Sequence, residues 1–231
     1  EATSHAAVQG RLNGISFDQL IFTNIGSDHL EYHGSFENYL QAKTSLVRKI
    51  KKTGVFIYNS QDKNAFEFVK VARVPVVSYG PDETDVVCVS DYSLSLKGSS
   101  VTLKVQDQIL EIDMNLLGFF NVLNLSAVVL SLLQYDSEAD VAACVQDLKP
   151  VSGRLDVLLS DDNVFVFDYA HDPESLENLL SFVDKYKTAN LRLLFGCTGG
   201  GRDRSKRPKM GAVAAKYADV IYLTNDDPYF E

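Results

Sequence analysis

The sequence predicts an α/β protein: a parallel-sheet region carrying an antiparallel meander, followed by a second, Rossmann-like α/β region. Three observations carry that expectation. Over residues 20–79 short apolar runs alternate with helical stripes, a pattern that calls for parallel strands joined by helices. Between residues 86 and 113 the hydrophobic period drops to two, the mark of antiparallel strands with one wet face. After Pro150-Val151-Ser152-Gly153 the strand–helix alternation resumes, and that proline/glycine segment is the strongest boundary signal in the chain. The expected domains are therefore 1–150 and 151–231.

Taken in order, a strand over 20–23 runs into Thr23-Asn24-Ile25-Gly26-Ser27-Asp28-His29-Leu30-Glu31-Tyr32-His33-Gly34. The helix that follows has a core stripe of Phe36, Tyr39, Leu40, Leu46, Val47 and Ile50, with Lys43 where an apolar residue belongs. Burial disfavours a charged amine, so this spacing predicts an uncharged, nucleophilic lysine; the bland alternative is a lysine snorkelling at the core rim. Strands over 55–59 and 74–79 flank a helix over 64–72. Leu94/Leu96, Val101/Leu103/Val105 and Leu110/Ile112 alternate with polar neighbours and build the meander. Residues 119–133 are apolar nearly all round, which predicts a buried helix. On its first turns Asn121 and Asn124 share one face, either capping the helix or hydrogen-bonding a planar heterocycle. A further helix is expected over 138–148.

In the second half, strands are expected over 155–159, 164–167, 191–195 and 220–223. Asp172 and Pro173 are a helix N-cap and first-turn proline, with Leu176, Leu179, Leu180 and Val183 as the buried stripe. The last three strands end in Asp168-Tyr169-Ala170-His171, in Gly196-Cys197-Thr198-Gly199-Gly200-Gly201-Arg202-Asp203 and in Thr224-Asn225-Asp226-Asp227. In one parallel sheet those ends share an edge, where ligands bind. Glycines let backbone approach an anion, and Arg202, Arg204, Lys206, Arg207 and Lys209 follow at once, so an anionic ligand is expected there. No Walker A loop is present.

Composition narrows the function classes. A net charge of −9 over 231 residues argues against a general nucleic-acid binder. The chain has no apolar run of about 20 residues to span a membrane. Its three cysteines, Cys88, Cys144 and Cys197, lack metal-ligand spacing and read as reduced packing residues of a cytoplasmic protein.

Glu1-Ala2-Thr3-Ser4-His5-Ala6, Phe22-Thr23-Asn24, Asp28 to Gly34, Tyr39-Leu40-Gln41-Ala42-Lys43, Gly118 to Asn124, Gly153-Arg154, Asp168 to His171 and Arg202 to Pro208 resemble the Mur ligases. The similarity covers the whole chain in order and is greatest to the branch that adds the third amino acid to UDP-N-acetylmuramoyl-L-Ala-D-Glu. It implies ATP-dependent amide formation through an acyl phosphate, in a cytoplasmic monomer that binds neither nucleic acid nor membrane. It also implies that the family's uridine-nucleotide domain and phosphate loop precede Glu1 and that the end of its third domain follows Glu231. Residues 1–231 alone are then expected to bind ATP weakly.

By the same resemblance Glu1, His29 and a carbamylated Lys43 hold Mg2+. Asn121 and Asn124 contact adenine, Arg154 and Asp168 contact phosphate and ribose, and Thr3, Gln9 and Arg11 hold the muramoyl dipeptide. His171 and Lys206 belong to the catalytic cleft. Arg202, Asp226, Asp227 and Tyr229 fall where the incoming amino acid binds. Members that add meso-diaminopimelate carry Asp-Asn-Pro-Arg where this chain has Asp226-Asp227-Pro228-Tyr229, and the missing arginine favours L-lysine or L-ornithine. Alternatives from other classes are a folylpolyglutamate synthetase, a phosphohydrolase built on Asp28, His29 and His33, and a non-catalytic binding module.

Overall fold

Alternating apolar residues give β1 (Phe17–Phe22), the first strand of a six-stranded sheet ordered β1 to β6. The computed structural model describes residues 1–26, 29–135, 144–145, 148–160, 163–200 and 203–230. They form two units, Glu1–Ser27 with His33–Lys149, and Asp28–Tyr32 with Pro150–Glu231. In the first unit β1, β2 (Ile50–Asn59), β3 (Val76–Gly80) and β4 (Val87–Ser95) pair in parallel. β4, β5 (Gly98–Val105) and β6 (Gln108–Met114) then pair antiparallel. Two residues at each of the last two turns leave no room for a crossover, so hairpins are the only outcome.

The sheet is covered on both faces, and β2 shows how. Val55 and Ile57 point to a core shared with Leu103, Ile112 and the helix α5 (Phe119–Leu133), through Val122, Leu125 and Val129. Phe56 points the other way, to Phe22, Tyr39, Val47 and Phe68. Phe56 and Ile57 are both 0 % exposed, and each burial stabilises the fold by roughly 1.5–3 kcal/mol. The Phe56 side is closed by α3 (Phe36–Thr44) and α4 (Ala65–Val69), which supply Tyr39 and Phe68. Two short helices precede α3: α1 (Ser4–Val8), which packs against it, and α2 (Leu30–His33).

The second unit has two small sheets. β7 (Asp156–Ser160) and β8 (Asn163–Phe167) pair antiparallel, while β9 (Arg192–Phe195) and β10 (Val220–Leu223) pair in parallel. Helices α6 (Pro173–Tyr186) and α7 (Lys206–Tyr217) pack against each other over Leu176, Leu180, Leu191 and Met210. α6 opens as its sequence demands, with a capping box in which Asp172 Oδ1 accepts the Ser175 N–H at 2.9 Å and Pro173 stands in the first turn.

Four expectations change. The helix carrying Lys43 ends at Thr44 and tightens into a 3-10 turn over Ser45–Lys49, so Ile50 starts β2 instead of closing a helical stripe. Among the described residues the strand-end segments after β8, β9 and β10 do not line one sheet, because β8 pairs with β7 in one sheet while β9 pairs with β10 in another. α5 is buried on one side alone: Phe120 and Val128 are 37 % and 45 % exposed, since the helix covers only one face of the sheet. Cys144 is exposed, not a packing residue. The helix expected over 138–148 lies almost wholly outside the described residues.

Burial pushes the thiols of Cys88 and Cys197 up, which lowers their thiolate fraction near neutral pH. Iodoacetamide at pH 7.5 is therefore expected to label Cys144 well before the other two. Peptide mapping of a labelling time course reads this directly, and equal labelling of all three would contradict the burial of Cys88 and Cys197.

Candidate active site

In the first unit the start of α1 is built by Thr3, whose Oγ1 accepts the Ala6 N–H at 3.1 Å as N-cap. Gln9 is the C-cap of the same helix, and the Arg11 N–H donates to the Ala6 carbonyl at 3.1 Å. Glu1, Gln9 and Arg11 are exposed, so these four residues surround one short helix. The last residue of α2 is tied to that helix by a buried pair, His33 Nε2 and Ser4 Oγ, at 2.9 Å. The His33 ring lies 5.3 Å from that of Tyr39, and Lys43 Nζ stands 5.9 Å from the same Tyr39 ring. Lys43 is half-buried, not buried, because α3 turns its Tyr39 and Ala42 side inward most fully. The sequence places Ser4 and His33 in two separate motifs and does not pair them. A serine and a histidine 29 positions apart give no local signal until the chain brings them together.

Asn121 and Asn124 do not cap α5. Gly118 does, in a left-handed conformation (φ 85°) that a side chain would strain. Asn121 Nδ2 donates to the Leu117 carbonyl at 2.8 Å, and Asn124 Nδ2 donates to Asn121 Oδ1 at 3.3 Å. The two amides are thus held together at one end of the helix.

In the second unit, which includes His29, that residue adopts a left-handed backbone (φ 56°) and its Nδ1 lies 3.9 Å from Glu31 Oε1. Asp168 Oδ2 accepts the Leu155 N–H at 2.7 Å, and the Arg154 guanidinium lies 4.8 Å from the centre of the Tyr169 ring. Lys206 Nζ donates to the His171 carbonyl at 2.8 Å, so this pair joins the strand-end loop to the start of α7. A pocket of about 350 Å³ is lined by Gly196, Cys197, Gly199, Arg207, Thr224 and Asp226 among others. Thr198 Oγ1 donates to Asp226 Oδ2 at 2.7 Å, and the Gly199 N–H donates to the Asp226 carbonyl at 2.9 Å.

The glycines here let two loops pack closely. A Cβ on Gly199 would meet the Asp227 carbonyl oxygen at 2.9 Å, and one on Gly200 would strike the Tyr229 ring. Asp227 and Tyr229 are themselves left-handed (φ 40° and 51°), so the 226–229 loop carries backbone strain beside the pocket. Asp28 and Arg202 lie outside the described residues. Among those described, no three His, Cys, Asp or Glu side chains converge as a metal site, and no helix is long and apolar enough to cross a membrane.

By fold the chain is a mixed α/β protein of the Mur ligase type. A UDP-N-acetylmuramoyl-L-alanyl-D-glutamate–2,6-diaminopimelate ligase structure matches with a TM-score of 0.69 and 34% identity, over 99% of this chain and 48% of that one. MurF from Acinetobacter baumannii matches with a TM-score of 0.76 at 20% identity, over 90% of this chain and 46% of that one. The Mur ligase middle domain matches residues 1–132 and the Mur ligase, glutamate ligase domain matches residues 153–231; the chain belongs to the Mur ligase family. Curated relatives include UDP-N-acetylmuramoyl-L-alanyl-D-glutamate–2,6-diaminopimelate ligases from Geobacillus thermodenitrificans and Syntrophomonas wolfei. They are 34% and 37% identical over 100% of this chain, which covers 49% and 48% of theirs. The chain therefore spans about half the length of the curated relatives it matches.

Proposed function

We propose that the chain supplies the later ATPase-domain segment (1–150) and an amino-acid-domain segment (151–231) of an ATP-dependent ligase. That ligase adds the third amino acid to UDP-N-acetylmuramoyl-L-alanyl-D-glutamate in the cytoplasm. One observation carries the reading: identity of 34% to 37% along the whole chain to proteins named for that reaction. ATP phosphorylates the peptide carboxylate, the amine of the amino acid attacks the acyl phosphate, and phosphate leaves as the amide forms. Asn121 and Asn124 hold adenine, Arg154 meets phosphate, and Thr3, Gln9 and Arg11 hold the dipeptide. Lys206 and His171 support the cleft. Asp168, expected at the ribose, is joined to the Leu155 backbone, so its role extends to shaping the Arg154 turn.

Glu1, His29 and Lys43 would hold Mg2+. The set fits only if Lys43 is carbamylated, since magnesium favours oxygen donors and an ammonium offers none. When bound, the metal neutralises charge on the transferring phosphoryl group.

The names of the relatives weigh against L-lysine or L-ornithine and favour diaminopimelate as the amino acid. Tyr229 stands where members that add meso-diaminopimelate carry an arginine, and Arg207, on the same pocket as Asp226, is the cation to meet a carboxylate instead. Phosphate release by the full-length protein, with ATP, magnesium and the dipeptide nucleotide, tests both levels. Diaminopimelate is expected to be used about tenfold to a hundredfold better than lysine or ornithine, the worth of one charge-assisted contact. A preference for lysine would sink the choice of substrate; phosphate release that ignores the amino acid would sink the ligase.

A further inference from the structure

Tyr169 stands at the centre of a set of contacts that the proposed reaction does not use. The Arg154 guanidinium carbon lies 4.8 Å from its ring centre, and the His171 ring tilts against the same ring at 5.1 Å. His171 Nδ1 lies 3.1 Å from the Tyr169 carbonyl oxygen, and the His171 carbonyl takes the Lys206 ammonium at 2.8 Å. The loop is thereby pinned to the start of α7. On the other side the Arg154 N–H donates to the Val151 carbonyl at 3.0 Å, and the next N–H, of Leu155, is held by Asp168. The backbone of Arg154 is fixed from both ends. Its side chain is long and exposed, and an arginine so placed samples many rotamers unless a surface confines it. Tyr169 is 63 % exposed, so core packing does not account for a large ring at this place.

We infer that Tyr169 is a positioning residue for the ligation, its ring face holding the Arg154 guanidinium in the orientation that meets the ATP phosphate. This rests on the assignment of Arg154 to phosphate made above. An exposed cation–π contact of this kind corresponds to about a 2- to 5-fold effect on binding.

In the full-length protein Tyr169→Leu is expected to raise KM for ATP about 2- to 5-fold, leaving kcat and the KM of the amino acid in place. Tyr169→Phe keeps the ring face and is expected to restore the ATP KM. Arg154→Ala should raise that KM further, and adding Tyr169→Leu to Arg154→Ala should change nothing more, because one residue acts through the other. A raised KM in Arg154→Ala with an unmoved Tyr169→Leu, or additive effects in the double variant, overturns the inference alone. A wild-type KM in Arg154→Ala removes the phosphate assignment and the inference together. Ring-current shifts give a second readout in the 231-residue chain as it stands. The Arg154 δ-methylene protons are expected upfield in the wild type and in Tyr169→Phe, and unshifted wild-type protons overturn the contact.

Discussion

Replacing Lys43 by alanine is expected to lower turnover of the full-length ligase by about 100-fold or more, the scale of a lost metal ligand or its support. Acetate is expected to restore part of it. Lys43 is half-buried beside the Tyr39 ring, on the helix that packs against α1, where Glu1 and Thr3 lie. If carbon dioxide adds to its uncharged amine and a proton leaves, a cation becomes a carboxylate able to face magnesium. Alanine removes those oxygens and leaves space for a small acid to bring them back. Arginine does neither, so Lys43→Arg should be inactive and insensitive to acetate, because a permanent cation then stands where the metal needs an anion. Full activity in Lys43→Ala would reduce the residue to a lysine at the core rim.

Why Lys43 was legible while its surroundings were not follows from the range of the signals. Periodicity is local, so it located β5, α5 and the Asp172–Pro173 start of α6 from neighbouring residues alone. It misjudged the helix of Lys43 because Leu46 and Val47 continue the apolar spacing into a 3-10 turn, and side-chain spacing cannot tell the two apart over one turn. Sheet membership is longer-ranged still. The run of polar strand ends suggested a common edge, yet among the described residues β8 pairs with β7 and β9 with β10 in separate sheets. The site divides the same way. Residues standing in strand-end loops were visible as Asp168, His171 and Asp226, whereas Ser4 with His33, and Thr198 with Asp226, meet only across 28 or more positions. The glycines of 199–200 also permit a close approach that the sequence does not show, to the 227–229 backbone and ring.

Asp168→Ala is expected to destabilise the second unit by about 2–3 kcal/mol and to raise KM for ATP about tenfold or more. The first figure follows from its bond. A carboxylate accepting a backbone N–H at 2.7 Å is a charge-assisted contact, and its loss leaves the Leu155 amide without that acceptor. Leu155 is 2 % exposed and holds a left-handed backbone (φ 48°), a conformation that costs a branched residue roughly 1–2 kcal/mol and persists only where neighbours enforce it. Asp168 is the enforcing neighbour, since it is the group that grips the amide of the strained residue. Once it is gone, the turn relaxes toward right-handed geometry and carries the preceding residue, Arg154, out of its place against Tyr169. The second figure reads that displacement at the nucleotide. Asp168→Asn separates shape from charge: its amide oxygen still accepts the Leu155 N–H, so stability should fall by no more than about 1 kcal/mol, the worth of a neutral hydrogen bond exchanged for a charged one. If the ATP KM of Asp168→Asn stays near wild type while that of Asp168→Ala rises, Asp168 acts by holding the turn. Chemical denaturation alongside ATP kinetics for both variants decides the matter, and an Asp168→Asn protein that is stable yet binds ATP as poorly as Asp168→Ala would return the carboxylate to direct contact with the ribose.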